Sequence, residues 1–413
     1  MTTANIFFWF ATGLLPLSLM VFLFARQKAH VLEKEHGFLH SRPGFYGWYA
    51  VIKFASPALI VGIICSILSM FNLLQVPGIM IIGTAFALGG LSLWFALKHI
   101  KHEFRARQPV EKAMTVLLLI AAMISILTTL GIVFSVIFES IRFFHTISFW
   151  DFVTGTVWNP DTAFLIGAGR GDEASVPEFG SVPIFAGTFM ITGIAMLVAV
   201  PIGLFAAIYM SEYATHTWRN RLKPLLEILA GIPTVVYGFF AAITISPLVV
   251  EAANAVGLHA DYTNALTPGI IMGIMIIPFI SSLSDDVIRA VPQPMRDGSL
   301  ALGTTHSETI RHIVLPAALP GIVAAFLLGA SRAIGETMIV VMAAGLRPNL
   351  TANPLEGMTT VTVKIVEALT GDQEFDSAFT LAAFALGLVL LTVTLILNVV
   401  STIIIRKFRQ RYE

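Results

Sequence analysis

The chain has 413 residues, 56% of them hydrophobic and 12% charged, and its 25 Lys and Arg offset 25 Asp and Glu to a formal net charge of +0. Ordinary soluble domains carry about 25% charged residues, so a soluble globular enzyme is excluded, and the absence of net positive charge gives nucleic-acid binding no support. The single cysteine, Cys65, lies in an apolar run and has no partner for an intramolecular disulfide.

Apolar runs of the length that crosses roughly 30 Å of hydrocarbon, about 20 residues each, predict an all-α membrane protein with about nine transmembrane helices. They are centred in 5–25, 54–74, 77–97, 113–138, 186–210, 229–251, 265–285, 317–345 and 380–405. The first reads as a retained helix, not a secretory signal: Met1 to Phe10 carries no basic residue, Arg26 and Lys28 follow the run, and no small-residue cleavage site succeeds it. Leu74-Gln75-Val76-Pro77-Gly78 reads as a tight outer hairpin between the second and third spans, because Pro and Gly punctuate turns. Residues 1–112 thus form a three-helix membrane extension of unknown role, with no recognisable chemistry. His99 and His102, set among Lys98, Lys101 and Arg105, read as solvated surface, and no metal site is expected.

Two long outer loops follow. Residues 139–185 hold Phe149-Trp150-Asp151 and Trp158-Asn159-Pro160-Asp161, aromatic groups suited to the membrane interface. Residues 346–379, with Pro348, Pro354 and Gly371-Asp372, are too polar and broken to cross. The basic residues collect at 26–53, 98–112, 211–228, 285–316 and 406–413. By the positive-inside rule these stretches face the cytoplasm, which leaves the N-terminus outside and the C-terminus inside.

Between the seventh and eighth spans, Arg296-Asp297-Gly298-Ser299-Leu300-Ala301-Leu302-Gly303 is followed nine residues later by Ile313-Val314-Leu315-Pro316. Gly303 permits a sharp break, and Thr305-His306-Ser307-Glu308 has the form of a capping box. A short helix, a turn and a second helix are predicted. The spacing resembles the EAA loop of permeases of ATP-binding-cassette importers: Asp297, Gly298 and Ser299 stand at the E-A-A positions, while Gly303, Ile313, Leu315 and Pro316 match the pattern outright. The resemblance implies that 296–316 docks on a separate cytoplasmic ATPase. The chain itself has no G-x-x-x-x-G-K-[ST] sequence, so it is read as a non-enzyme that binds no cofactor, with ATP and Mg used by that partner.

Ser331-Arg332-Ala333-Ile334-Gly335-Glu336-Thr337 sets two ionisable groups in an apolar stretch expected to be one helix from about Pro320 to Gly345. A charge at bilayer depth costs roughly 2.5–3.5 kcal/mol or more and marks a functional site by default. At about 100° per residue, Arg332 and Glu336 fall about 40° apart on one helix face. Gly321, Ala325, Gly329 and Ala333 form a small-residue ladder on a neighbouring line, which admits another helix. A guanidinium fork suits an oxyanion, and a carboxylate can accept the P–OH of hydrogen phosphate, which sulfate lacks. The alternative is an ion pair that neutralises itself between helices.

The segment resembles the R-A-[LI]-G-E-T motif of PstC-type permeases of the phosphate-specific transport system. Thr154 to Pro160, Phe179 to Ile184, Glu227 to Gly238 and Ile276 to Phe279 agree with it, over residues 113–413. The resemblance implies a type I importer core at 186–405 in a bacterial inner membrane. Its implied partners are a PstA-type second permease, an ATP-binding-cassette ATPase dimer and an external phosphate-binding protein, besides membrane lipid. Arg332 and Glu336 then line the substrate path, and Thr337 contributes packing or backbone hydrogen bonding. A sensor or scaffold bound to a phosphate-signalling regulator, and a permease for another oxyanion, are the alternative readings. An ion-coupled transporter lacks the expected broken-helix repeat.

Overall fold

The computed structural model describes residues 3–70, 78–160, 178–370 and 377–409. The chain divides into two compact units, Met1–Gly131 and Ile132–Glu413. Eight helical stretches among the described residues are long and apolar enough to cross a membrane. The first expected span is not among these eight. It lies on helix α1, Thr3–His36, whose leading side chains fall outside the described residues.

In the first unit α1 packs with α2, Pro43–Met70, and α3, Gly78–His99, while α4, Arg107–Thr146, begins here and continues into the second unit. Ala25, Ala29, Tyr46, Ala50, Ala96 and Val110 form its core. Small residues set the packing distance, as helices without a water-driven attraction between them require. A Cβ on Gly89 would lie 2.8 Å from the Phe54 carbonyl oxygen, and one on Gly47 2.6 Å from the Phe22 ring. The Tyr46 hydroxyl donates to the Phe104 carbonyl at 2.8 Å and anchors the segment leading into α4. The predicted 74–78 hairpin lies outside the described residues apart from Gly78.

The second unit opens with α5, Phe149–Thr154, and a two-stranded antiparallel ladder of β1, Trp158–Asn159, and β2, Glu178–Phe179. Phe143, Phe152, Trp158 and Phe179 pack edge to face at centroid distances of 5.3–6.5 Å and are buried. These aromatics therefore build a core. Only Phe149 and Trp150 keep the exposure expected of interface residues. Asp161 and Gly371-Asp372 lie outside the described residues.

The bundle proper follows as α6, Val182–Ile208, extended by a π-helical turn at Tyr209–Tyr213; α7, His216–Gly231; α8, Thr234–Phe240; and α9, Ser246–Ala255, joined to α8 by a second π turn. Next come α10, Leu266–Ala290; α11, Gln293–Ala301; α12, His306–Thr309; a third π turn, Ile310–Val314; and α13, Leu315–Ile334. The unit closes with α14, Met338–Ala343, α15, Val361–Thr370, and α16, Ala378–Arg409. Its centre is the α6–α10 seam, where Gly269 and Gly273 of α10 meet Ile194 and Val198, and Gly203 of α6 meets Ile280.

Two expectations change. The span expected at 229–251 starts only at Thr234, because Gly231 and Pro233 end α7, an amphipathic helix with no buried residue. The span expected to run unbroken over 317–345 stops at Ile334 and resumes at Met338. Gly321 and Gly329 of the small-residue ladder lie against Val287, Ile276 and Ile280 of α10. The helix it admits therefore belongs to the same chain.

Candidate substrate path and coupling loop

The break between α13 and α14 has local causes. Gly335 has low helix propensity, Thr337 is β-branched, and the Glu336 carboxylate competes for the backbone by accepting from the Met338 amide at 3.1 Å. Broken backbone in a membrane must find partners inside the protein. The Glu336 amide donates to the Ala333 carbonyl at 3.1 Å, the Thr362 hydroxyl donates to the Glu336 carbonyl at 2.9 Å, and the Thr337 carbonyl accepts from Val341 at 2.9 Å. Thr337 thus acts through its backbone at the start of α14. Gly238 of α8 lets α14 close in, since a Cβ there would sit 3.0 Å from the Met338 carbonyl oxygen.

Arg332 occupies the last turn of α13, whereas Glu336 lies in the break. They do not share a helix face, and no ion pair joins them among the described residues. The self-neutralised pair is therefore not formed. The Arg332 guanidinium stands 6.0 Å from the centroid of the Phe279 ring, at the outer limit of a cation–π contact, and has no carboxylate partner among the described residues. It opens on a cavity of about 240 Å3 that Lys223, Glu227, Phe279, Ser282 and Asp285 also line.

Asp285 was not singled out from the sequence. Its side chain is fully buried on α10, accepting from Arg219 of α7 at 2.8 Å and from Arg289 at 3.0 Å, with the Lys223 ammonium 3.9 Å away. A buried carboxylate survives when it is paired and hydrogen-bonded. Asp285 is thereby occupied, which leaves Arg332 as the open cation of the cavity. Asp285-Asp286 in an apolar run is the signal that could have found it.

The coupling loop has the predicted shape. Gly303 turns the chain at φ +86°, and Thr305 and Glu308 form a reciprocal capping box. Asp297 and Gly298 are exposed on α11, and Asp297 accepts from the Gln293 side chain at 2.9 Å. Ser299 points inward, its hydroxyl 2.8 Å from that of Thr304 and 3.1 Å from that of Thr309, so three hydroxyls lock the turn. Ile313, Leu315 and Pro316 are half-buried where the π turn passes into α13, and Pro316, which has no amide to donate, stands at that junction of an otherwise continuous helix. Arg296 ties α11 to the end of α6: its guanidinium pairs with Glu212, a 5% exposed side chain, and donates to the Ile288 carbonyl at 2.7 Å. Sequence reading missed this clamp because its two ends lie 84 residues apart.

Residues 199–411 match the family of binding-protein-dependent transport system inner membrane components, and the chain belongs to it. It is an inner-membrane, multi-pass permease component of the ATP-binding-cassette type. Residues 11–76 match a second family, described as phosphate ATP-binding cassette transporter. The chain is 32% identical over 280 residues to the probable ABC transporter permease protein YqgH of Bacillus subtilis, covering 67% of this chain and 83% of that protein. It is 33% identical over 276 residues to the phosphate transport system permease protein PstC 1 of Mycobacterium bovis, covering 62% and 81%. The crystal structure of a bacterial alginate ABC transporter with an alginate-bound periplasmic protein aligns at TM-score 0.48 and 14% identity, over 71% of this chain and 96% of that one. Within the family, the similarity is to PstC-type permeases.

Proposed function

We propose that this chain is the permease subunit of an ATP-driven inorganic phosphate importer. It forms the path with a PstA-type second permease and is driven by an ATPase dimer through residues 296–316. An external phosphate-binding protein delivers the anion, and the C-terminus faces the cytoplasm. The observation that carries the reading is the open guanidinium of Arg332 beside a helix break, in a chain whose relatives include phosphate transport permeases. Arg332 supplies a two-pronged, permanently charged donor to the oxyanion. Glu336 keeps Oε2 without a hydrogen bond among the described residues, available to the P–OH of hydrogen phosphate. ATPase closure on Asp297 and Gly298 moves α11, and the Arg296–Glu212 clamp carries that motion to α6 and so to the α6–α10 seam.

Uptake by the reconstituted complex tests it. Arg332→Ala is expected to lower phosphate transport by about ten- to a hundredfold, the worth of charge-assisted hydrogen bonds, with the complex still assembled and ATP still bound. Glu336→Gln is expected to lower phosphate transport while leaving any sulfate passage unchanged. Unaltered phosphate rates in both variants would remove the proposed path.

A further inference from the structure

The first unit contains a groove of about 1430 Å3 between α1 and α2 on one side and the start of α4 on the other. That exceeds the roughly 300–1,000 Å3 usual for small-molecule pockets. The groove has a polarity gradient. Arg26, His30, Arg42 and Lys112 line it near the first turns of α2 and α4, and Lys53 lies further along α2. Beyond them the walls are apolar as far as Ile60 and Ile120, about 25 Å and 20 Å along their helices at about 1.5 Å per residue. No Asp or Glu lines the groove.

Cations are common at this end of the unit, and three of those outside the groove are engaged. Arg107 pairs with Glu111, Lys28 donates to the Leu97 carbonyl at 2.7 Å, and Lys98 lies 3.4 Å above the Trp94 ring. Arg26, Arg42, Lys53 and Lys112 have no such partner among the described residues, and all four are exposed. His30 alone is held, 3.4 Å from Glu33. Three unpartnered cations at one end of an elongated apolar groove, with a fourth, Lys53, about 15 Å along α2, form in a protein that spans a membrane the complement of an anionic lipid.

We infer that this groove is a binding site for an anionic glycerophospholipid. The phosphate sits among Arg26, Arg42, Lys53 and Lys112, with Lys53 bending its stem toward the headgroup. The acyl chains lie along Trp48, Ile52, Ile60, Leu117 and Ile120.

Trp48 gives the test a reporter inside the groove. The full-length chain is reconstituted with brominated phosphatidylglycerol or brominated phosphatidylethanolamine at equal mole fraction, and tryptophan quenching is compared. The anionic lipid is expected to quench more, the excess is expected to vanish in Trp48→Phe, and added inorganic phosphate is expected not to displace it. Lipid retained through purification supplies a second readout. Each neutralised cation is expected to lower the phosphatidylglycerol to phosphatidylethanolamine ratio by up to about fivefold, so Arg26→Gln, Arg42→Gln, Lys53→Gln and Lys112→Gln combined should abolish the enrichment. Equal quenching by the two lipids, as for a groove covered by a neighbouring protein helix, would overturn the proposal. So would an excess that survives Trp48→Phe, or displacement by inorganic phosphate alone. The quenching comparison uses the unaltered chain, so it decides even if the fourfold variant fails to fold.

Discussion

Two ionisable side chains of the bundle meet opposite fates. Asp285 is enclosed by Arg219, Arg289 and Lys223, whereas Arg332, on a cavity that Phe279, Glu227 and Asp285 also line, has no ion-pair partner among the described residues. Removing one partner of a buried ion pair leaves the other uncompensated, at a cost of about 3–5 kcal/mol. Arg289 is 41% exposed and water relieves part of that cost. Asp285→Ala is therefore expected to destabilise the protein by about 3 kcal/mol, read from thermal unfolding in detergent, whereas Arg332→Ala should leave stability nearly unchanged while lowering transport. A large loss of stability in Arg332→Ala would make it a structural residue. Arg332 was legible in the sequence because a charge in an apolar run is conspicuous. The Asp285 cluster was not, because Arg219 reaches it across 66 residues of chain.

At the scale of elements, the proposed functional positions gather where regular helix fails. The 335–337 break is held by Glu336 and Thr362, and π turns close α6 and lead into α13; such irregular turns recur at functional positions. The Arg296–Glu212 clamp is expected to act as a transmission link. Glu212→Ala should leave ATP hydrolysis by the assembled complex running while phosphate uptake falls, measured side by side; parallel retention of both would discard the link. Gly303→Ala forces a Cβ into the left-handed region and is expected to cost about 1–2 kcal/mol, read as a lower unfolding temperature. The 346–360 loop has its own latch. Hydrogen bonds from Thr351, Asn353 and Asn349 hold the Glu356 carboxyl below the ordinary range, while the backbone of 354–356 accepts from Asp261, Ala265 and Leu266. A carboxyl depressed in the fold contributes stability above its unfolded pKa and loses it as pH falls through the folded value. Amide-exchange protection over 346–360 should therefore hold at neutral pH and weaken on acidification, and Glu356→Gln should flatten that dependence.

For the molecule as a whole, the two units have separate cores, Tyr46 and its alanine neighbours in one and the α6–α10 seam in the other. Deleting residues 1–112 is thus expected to leave the 186–405 core inserted and able to bind the ATPase, checked by co-purification; loss of insertion would make the extension a brace. The membrane class, most span positions, the turn at Gly303 with its Thr305–Glu308 cap, and the placing of Arg332 as a charge within an apolar stretch came from the sequence by itself. Each rests on hydropathy, local turn chemistry or a charge out of place, and all of these are properties of neighbouring residues. Tertiary structure alone decided which partner satisfies the broken backbone at Glu336, that the glycine ladder serves α10 of the same chain, and that Arg296 clasps Glu212. Those outcomes depend on contacts between residues distant in sequence, such as Thr362 satisfying the Glu336 carbonyl. No local pattern encodes such contacts, because their free energy exists only once the helices have packed.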